Sequence, residues 1–315
     1  MSTPKLILAP MAGVTDYAYR TIAAEMGADV TVTEMVSSRA LCYGDKKTVK
    51  LLGKTPTGIC GAQIFGNDPE FMARAAKLTL ELSNCDFIDI NMGCPMPKIS
   101  GAGDGAGLMK TPELAAEIVR AVVEAVPVPV TVKMRKGWDK SHVNCMELSR
   151  LVEQAGASAV AVHGRTRVQL YTGRADWDCI REVKQAVSIP VYANGDVDSP
   201  EAALHILRYT GADGVMIGRA AFGDPYLFAM IRAALDEKDI PERPPLSQRM
   251  DTALRQFELA LEDKGEHIAC LEARKHLCWY LHGVPHASFY KKDISQVATK
   301  EEVYQVVKRI KRDLR

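Results

Sequence analysis

The sequence predicts an α/β protein, a (β/α)8 TIM barrel followed by a small all-α helical domain. Short apolar runs rich in β-branched residues alternate with helical patterns from Leu6 to about residue 235. The runs are apolar almost throughout, which is typical of parallel strands that helices cover. Eight β-α units within about 235 residues also match the usual count and size of this barrel.

The predicted strands cover residues 6–9, 30–33, 58–64, 87–90, 130–134, 159–162, 191–193 and 214–217. Helices are expected between them, among others over residues 113–124, 143–155, 177–186 and 200–209. Gly27, Gly156 and Gly211 follow predicted helices, where a C-terminal cap favours a left-handed residue. A doubly wound sheet is the alternative, but its first turn is usually glycine-rich. Here that turn reads Pro10-Met11-Ala12-Gly13.

A second region begins after the rigid linker Pro-Glu-Arg-Pro-Pro at residues 241–245. Helical patterns follow over residues 246–264, 266–281 and 300–315, and the last begins with a capping box of Thr299 and Glu302. Residues 1–240 are therefore expected to form the barrel and residues 241–315 the helical domain. From Arg243 onward, 14 Lys and Arg face 10 Asp and Glu, so this region is basic. An ordinary solvated helical surface explains this charge more simply than a polyanion-binding domain does.

The composition excludes several classes of protein. The net charge of +1 over 315 residues carries no global signature of nucleic-acid binding. Eight cysteines without a Cys-x-x-Cys pair predict reduced thiols in a cytoplasmic protein and argue against a disulfide framework or a metal site. No signal peptide and no apolar run near the ~18 residues of a membrane span are present, so no membrane association is expected.

Polar or specially shaped residues follow seven of the eight predicted strands. In a TIM barrel the chemistry lies at the carboxyl ends of the strands. Seven such ends are hard to explain by packing, because each buried polar group needs a partner. They are Pro10-Met11-Ala12, Gln63, Asn91 with Cys94, Lys133 with Arg135, His163 with Arg165, Asn194-Gly195-Asp196, and Gly218-Arg219.

Several of these ends indicate particular chemistry. The last two suit a phosphate, because loops after the seventh and eighth strands often bind phosphate in this fold. Lys133 has two interpretations: a Schiff-base lysine, or a positive charge beside a flavin ring. Gln63 offers a donor and an acceptor suited to the edge of a heterocycle.

Cys94 lies in a turn where Gly93, Pro95 and Pro97 stop the chain from continuing as strand or helix, and the prolines make the turn rigid. It has three interpretations: a nucleophile, a proton donor or an inert buried thiol. A nucleophile needs a lowered pKa, and no local motif supplies a base. An ordinary thiol, with a pKa near ~8.5, stays protonated at neutral pH and suits a proton donor. The glycine-rich residues 101–107 fit a dinucleotide pattern, but a mobile loop closing over the site is the better interpretation.

The motifs together resemble the tRNA-dihydrouridine synthase family, most closely its bacterial B-type subgroup. The resemblance runs from Ala9 to about Phe228, and the helical region has the expected size and place. Mild departures occur at Tyr192-Ala193 and over residues 222–226. The motifs that carry it are Ala9-Pro10-Met11-Ala12-Gly13-Val14-Thr15-Asp16, Asn91-Met92-Gly93-Cys94-Pro95, Val132-Lys133-Met134-Arg135, His163-Gly164-Arg165-Thr166, Tyr171-Thr172-Gly173, Ala175-Asp176-Trp177, Asn194-Gly195-Asp196 and Met216-Ile217-Gly218-Arg219.

The resemblance implies an FMN-binding catalytic barrel, NADPH (or NADH) as reductant, and a tRNA uridine as substrate. Hydride would pass from the flavin to uracil C6, and Cys94 would give a proton to C5. The helical domain would bind tRNA, and the protein would act as a monomer without an obligate protein partner. Asn91 would orient the uracil, with Arg135, Arg165 and Thr166 near the substrate. The residues expected to hold FMN are Pro10, Met11, Ala12, Gln63, Lys133, His163, Asn194, Gly195, Asp196, Gly218 and Arg219.

Three other functions remain open from the sequence. The main alternative is another FMN-dependent barrel that reduces a free pyrimidine, like a dihydroorotate dehydrogenase. A Schiff-base aldolase using Lys133 and a non-catalytic RNA-binding module are the others. No short motif identifies which uridine would be modified, or whether ribosomal RNA is also a substrate.

Overall fold

The computed structural model describes residues 3–314, and within them eight parallel strands close into a barrel. The barrel strands are β1 (Lys5–Leu8), β2 (Val30–Val32), β3 (Ile59–Phe65), β4 (Phe87–Met92), β5 (Val130–Arg135), β6 (Ala159–His163), β7 (Val191–Asn194) and β8 (Gly214–Ile217); the two-residue strand Val36–Ser37 also pairs with β3. The strand order around the ring is β2-β1-β8-β7-β6-β5-β4-β3, and pairing of β2 with β3 closes it. The predicted TIM barrel is therefore confirmed.

The strands begin within one residue of their predicted starts, but several run further at the carboxyl end. Arg135 pairs with His163, and His163 pairs with Asn194, so these polar residues belong to strands and not to the following loops. Backbone pairing does not depend on side-chain polarity, which is why apolar runs underestimate strand length. Because the strands extend this far, the side chains of these residues form the top layer of the barrel interior.

Helices lie between the strands as predicted. Residues 143–155 are the exception, because His142–Val143 pairs with Gly137–Asp139 in a small hairpin and the helix starts later. Gly27, Gly156 and Gly211 have φ angles of 101°, 102° and 69°, which confirms their left-handed conformation after helices. The longer helices are α1 (Tyr17–Glu25), α2 (Pro69–Ser83), α3 (Pro112–Ala125), α4 (Cys145–Gln154), α5 (Trp177–Ala186), α6 (Pro200–Thr210) and α7 (Leu227–Leu235); Ser38–Cys42, Lys46–Val49 and Pro97–Ser100 are short.

Further helices follow the barrel in the described part of the chain: α8 (Leu246–Lys264), α9 (Glu266–Tyr280), α10 (Ser288–Gln296) and α11 (Lys300–Asp313). The capping box predicted at Thr299 is present, with the hydroxyl and the Glu302 carboxylate each accepting a backbone N–H. Helix α10 was not predicted, because Ile294 is its buried residue and its amphipathic pattern is therefore weak. These helices share a hydrophobic cluster of their own, which includes Ala18 of α1.

The helices after the barrel contact the loops that follow β1 and β8. The Phe222 ring stacks on Trp279 with centroids 4.5 Å apart, and Lys264 Nζ lies 2.6 Å from the Asp16 carboxylate. Gly223 has a φ of 65°, and a Cβ there would lie 2.3 Å from the Trp279 backbone. Only glycine fits such a close approach, so Gly223 allows α9 to pack directly on the loop after β8.

The barrel interior changes from apolar to polar toward the carboxyl ends of its strands. Ile7, Ala161 and Met216 belong to a small apolar cluster against which the Phe87 ring packs. Because side chains alternate along a strand, Asp89 and Asn91 lie on the same face of β4 as Phe87. The polar residues therefore form layers above an apolar floor.

Candidate active site

One cavity of about 540 Å³ opens at the carboxyl ends of the strands. It is lined by all the predicted site residues apart from Thr166, which is buried beside it. The lining residues come from every part of the barrel, because each parallel strand delivers its last inward-facing residue to the same end. The fold thus brings together residues from Pro10 to Arg219 that are far apart in sequence.

The Cys94 turn is held from three directions. The Asn91 Oδ1 atom accepts the N–H groups of Gly93 at 3.1 Å and Cys94 at 2.9 Å. The Arg135 Nε atom donates to the Gly93 carbonyl at 2.8 Å, and the Cys94 carbonyl accepts the N–H of Ala106 at 3.1 Å. The thiol is half-buried and lines the cavity. The backbone is thereby fixed, and the side chain lines the cavity.

Burial raises the pKa of the Cys94 thiol above its ordinary value, against the opposing effects of a hydrogen bond from the Met96 N–H and of the cations Arg135 and Lys133. The thiol is therefore protonated at neutral pH. A nucleophilic cysteine needs the opposite shift, because the thiolate is the reactive form. Among the interpretations open from the sequence, this environment favours the proton donor.

Beneath Cys94, four side chains form a continuous hydrogen-bonded series. Thr131 Oγ1 donates to Asp89 Oδ1 at 2.5 Å, and Gln63 Nε2 donates to Asp89 Oδ2 at 2.6 Å. Asn91 Nδ2 then donates to Gln63 Oε1 at 2.7 Å. Burial raises the pKa of Asp89 to about 6, against the opposing effect of its hydrogen bonds. The sequence analysis missed Asp89, although its position two residues before Asn91 places both on one strand face.

Two further groups have strongly shifted pKa values. Burial, and then the charge of Arg135, lower the pKa of Lys133 to about 8, while Asp89 partly opposes the shift. Burial and the surrounding cations lower the pKa of His163 to about 2, so its imidazole is neutral at physiological pH. Perturbed groups of this kind concentrate at functional sites.

Arg135 and Arg165 are buried, and both use their guanidinium groups to hold loops. Arg135 Nη1 donates to the carbonyls of Thr166 and Leu170, each at 2.9 Å. Arg165 Nη2 lies 2.7 Å from the Asp196 carboxylate and also donates to the Gly173 carbonyl. Contact of these arginines and of Thr166 with a substrate stays a prediction. Their observed bonds give shape to the cavity rim.

The rim predicted to hold a phosphate carries a backbone turn and a half-exposed guanidinium, which lies 3.9 Å from the Asp196 carboxylate. Gly195 and Asp196 have φ angles of 123° and 57°, a sharp turn after β7. The Arg219 guanidinium lies 4.5 Å from the centre of the Tyr171 ring, and about half of its side chain is exposed. Arg165 and the Ala175 N–H already engage the Asp196 carboxylate. These contacts balance the negative charge of Asp196 next to the groups predicted to hold a phosphate.

The second half of the glycine-rich residues 101–107 is packed, whereas closure of this segment over the site stays a prediction. Gly105–Lys110 is a 3-10 helix, and its residues from Gly105 to Met109 are buried. Gly105 has a φ of 54°, and a Cβ there would lie 3.0 Å from the Cys94 Cβ. This half of the segment supports the Cys94 turn from behind, because it belongs to the packed core.

Known proteins resemble this chain over most of its length. A family model described as "Dihydrouridine synthase (Dus)" matches residues 7–314. The chain belongs to the dihydrouridine synthase family. The tRNA-dihydrouridine synthase B of Vibrio vulnificus is 42% identical over 93% of this chain and 91% of its own length. That of Pseudomonas syringae pv. tomato is 44% identical over 91% and 85%. A probable tRNA-dihydrouridine synthase of Rickettsia conorii is 40% identical over 95% and 92%.

Two solved structures resemble the chain in fold alone. Histamine dehydrogenase from Rhizobium sp. 4-9 gives a TM-score of 0.56 at 15% identity, covering 80% of this chain and 49% of that protein. An amine oxidase of Pseudomonas geniculata N1 that acts on 6-hydroxypseudooxynicotine gives 0.58 at 15% identity, covering 80% and 52%. The chain thus spans about half the length of each.

For this family member, the structure adds lining residues that the sequence analysis did not place in the site. They include Tyr171, from a motif that carried the resemblance without an assigned role, and Met35, which follows β2 without a polar signal.

Residues 3–314 contain no helix that is long and apolar enough to cross a membrane.

Proposed function

We propose that this family member reduces uridines in tRNA to 5,6-dihydrouridine, with FMN as cofactor and NADPH or NADH as reductant. One observation carries the proposal: the protonated Cys94 thiol faces the same cavity as Asn91, Lys133 and the rim predicted to hold a phosphate. A uracil reductase needs a proton donor close to a site for a reduced cofactor, and this cavity supplies both kinds of group.

The residues present fit a flavin mononucleotide. The cavity of about 540 Å³ falls within the ~300–1,000 Å³ usual for cofactor sites. Gln63 and Lys133 provide an amide and an ammonium group for the ring edge. Pro10, Met11 and Ala12 form an apolar wall, with His163 as a neutral donor or acceptor. The turn Asn194-Gly195-Asp196, with Gly218 and Arg219, would hold the phosphate.

The chain's own residues then have separate tasks. A reduced flavin held by these residues would supply the hydride for uracil C6. Asn91 orients the base through its amide, whose oxygen is already held by the Cys94 turn. Cys94 gives its proton to C5, which general acid catalysis makes worth roughly 10²–10⁴-fold in rate. The base must leave the RNA stack to reach this depth.

The helices after the barrel have a basic composition that suits the tRNA backbone. The Lys275 ammonium lies beside the loop after β1, 3.4 Å from where a Cβ on Gly13 would be. A cation of the helical region therefore lies near the opening of the cavity. Phosphate contacts of this kind set the orientation of RNA but do not select a base. A tRNA substrate and unpaired cysteines also fit a cytoplasmic location.

The test is Cys94→Ala, compared with Cys278→Ala, a half-buried cysteine of α9 away from the cavity. Both variants are expected to keep the flavin absorbance band. Single-turnover reduction of tRNA uridine, followed by mass spectrometry, is expected to fall about 10²–10⁴-fold in Cys94→Ala alone. Full activity of that variant would refute the acid role of Cys94. A parent protein that reduces free pyrimidines and not tRNA would refute the assigned substrate.

A further inference from the structure

Asp89 is a buried charged residue for which the proposed chemistry has no direct use. Its side chain is 3% exposed and lies beneath the cavity, outside the residues that line it. Its two oxygens accept hydrogen bonds from Thr131 and Gln63, at 2.5 and 2.6 Å. An ionised carboxylate can only accept hydrogen bonds. The Gln63 amide is therefore oriented with its nitrogen toward Asp89 and its oxygen toward the cavity.

This orientation passes up to the Cys94 turn. The Gln63 oxygen can only accept, so Asn91 must present its nitrogen to it, at 2.7 Å. The Asn91 oxygen is then left for the N–H groups of Gly93 and Cys94. Backbone N–H groups can only donate, so they demand the same orientation from the other end. Both ends of the series agree, and every amide has one satisfied arrangement.

We propose that Asp89 is a positioning residue, which sets the amide orientation of Gln63 and Asn91 and so holds the Cys94 thiol in place. Its effect on turnover rests on the proposed function, whereas its effect on the Cys94 turn does not. The charged group that faces Asp89 from β5 is Lys133, whose positive charge favours the ionised carboxylate. The acceptor needed at the base of the series is thus maintained by the site itself.

The proposal predicts that the amide and the carboxylate can exchange positions. Gln63→Glu alone sets two carboxylates against each other, so the contact at the base of the series breaks. When Gln63→Glu is combined with Asp89→Asn, the new amide nitrogen at position 89 donates to the new carboxylate at position 63. That carboxylate still accepts from Asn91, and Thr131 still donates to the oxygen at position 89. Every hydrogen bond and the orientation of Asn91 are then restored.

The first measurement is the rate at which iodoacetamide alkylates Cys94, resolved by peptide mass spectrometry in the purified protein without RNA. We expect Gln63→Glu to speed alkylation by at least about tenfold and the double variant to return most of the way to the parent rate, as coupled contacting residues do. Cys278 serves as the internal reference, because it lies in α9, and its rate is expected to stay constant.

The second measurement is single-turnover uridine reduction with the same proteins. We expect the double variant to be at least about tenfold faster than Gln63→Glu, a coupling that independent sites do not show. The matched control is Gln63→Glu with Asp86→Asn. Asp86 precedes the same strand, and its carboxylate accepts from the Cys60 N–H at 2.8 Å outside the site. This control is expected to give no rescue.

Failure to rescue the alkylation rate in the double variant would overturn the positioning role of Asp89. Equal rescue by the Asp86 control would also overturn it, because a general loss of negative charge would then explain the result. Alkylation that responds as expected in a protein that reduces no uridine would instead refute the proposed function and leave the role of Asp89 standing.

Discussion

The upper barrel interior and the helices after the barrel bury polar groups in different ways. In the interior, Asp89, Gln63 and Asn91 are nearly inaccessible and each has one hydrogen-bonding arrangement. In the helices, charged groups lie at the surface, as in the pair of Arg255 with Glu25. Buried groups without their partners are costly, whereas exposed pairs contribute little. The function is therefore sensitive to single atoms in one region and to overall charge in the other.

The same substitution made in both regions tests this contrast most directly. Arg135→Lys removes the fork that reaches the carbonyls of Gly93, Thr166 and Leu170, and a lysine can satisfy one of them. We expect a loss of roughly 3–6 kcal/mol in unfolding free energy, because two buried hydrogen bonds from a charged group are lost, each worth roughly 1.5–3 kcal/mol. Urea denaturation measures it.

Arg255→Lys is the matched change in α8, where the pair with Glu25 lies at the surface. It is expected to cost at most about 1 kcal/mol in the same experiment. Equal losses in the two variants would contradict the distinction between the two regions.

The pH dependence of stability offers a second, smaller test in the interior. Burial raises the folded-state pKa of Asp89 from 3.8 to about 6, so the folded protein binds this proton more tightly than the unfolded chain. Stability contributed by Asp89 is therefore highest below pH 4 and is lost as pH rises through 6. One pKa unit corresponds to about 1.4 kcal/mol, so the loss is about 3 kcal/mol.

Asp89→Asn isolates this contribution, because the other carboxylates titrate equally in both proteins. Between pH 4 and pH 7, the unfolding free energy is expected to fall more in the parent than in the variant. If the unfolding free energy depends on pH in the same way in both proteins, ionisation of Asp89 does not destabilise the folded state.

The smallest effect is expected at the start of α11. The Thr299 hydroxyl accepts the N–H of Glu302 at 3.3 Å, at an exposed position far from the cavity. Thr299→Ala is expected to lower the unfolding free energy by about 1 kcal/mol. Uridine reduction should be unchanged at temperatures where the protein stays folded. A loss of activity without a loss of stability would indicate that this end of α11 contacts RNA.

Predictability from sequence differs between these regions for a physical reason. Strands β1 to β8 were found because apolar runs report burial directly. The capping box at Thr299 was found because its two residues are close in sequence. Helix α10 was missed because it buries few residues, and the start of α4 was misplaced because a hairpin competes for residues 142–143. The packing of Gly105–Met109 was missed, because glycine content alone does not reveal burial.

The sequence by itself determined the barrel, the residues at its strand ends and the family, because periodicity and short motifs are local properties of the chain. Only the tertiary structure decided which protons those residues hold and which way their amides point. Burial of Cys94, Lys133 and His163 arises from elements distant in sequence. Asp89 became visible as a support of the site because barrel closure brings it within hydrogen-bonding distance of Gln63, 26 residues away.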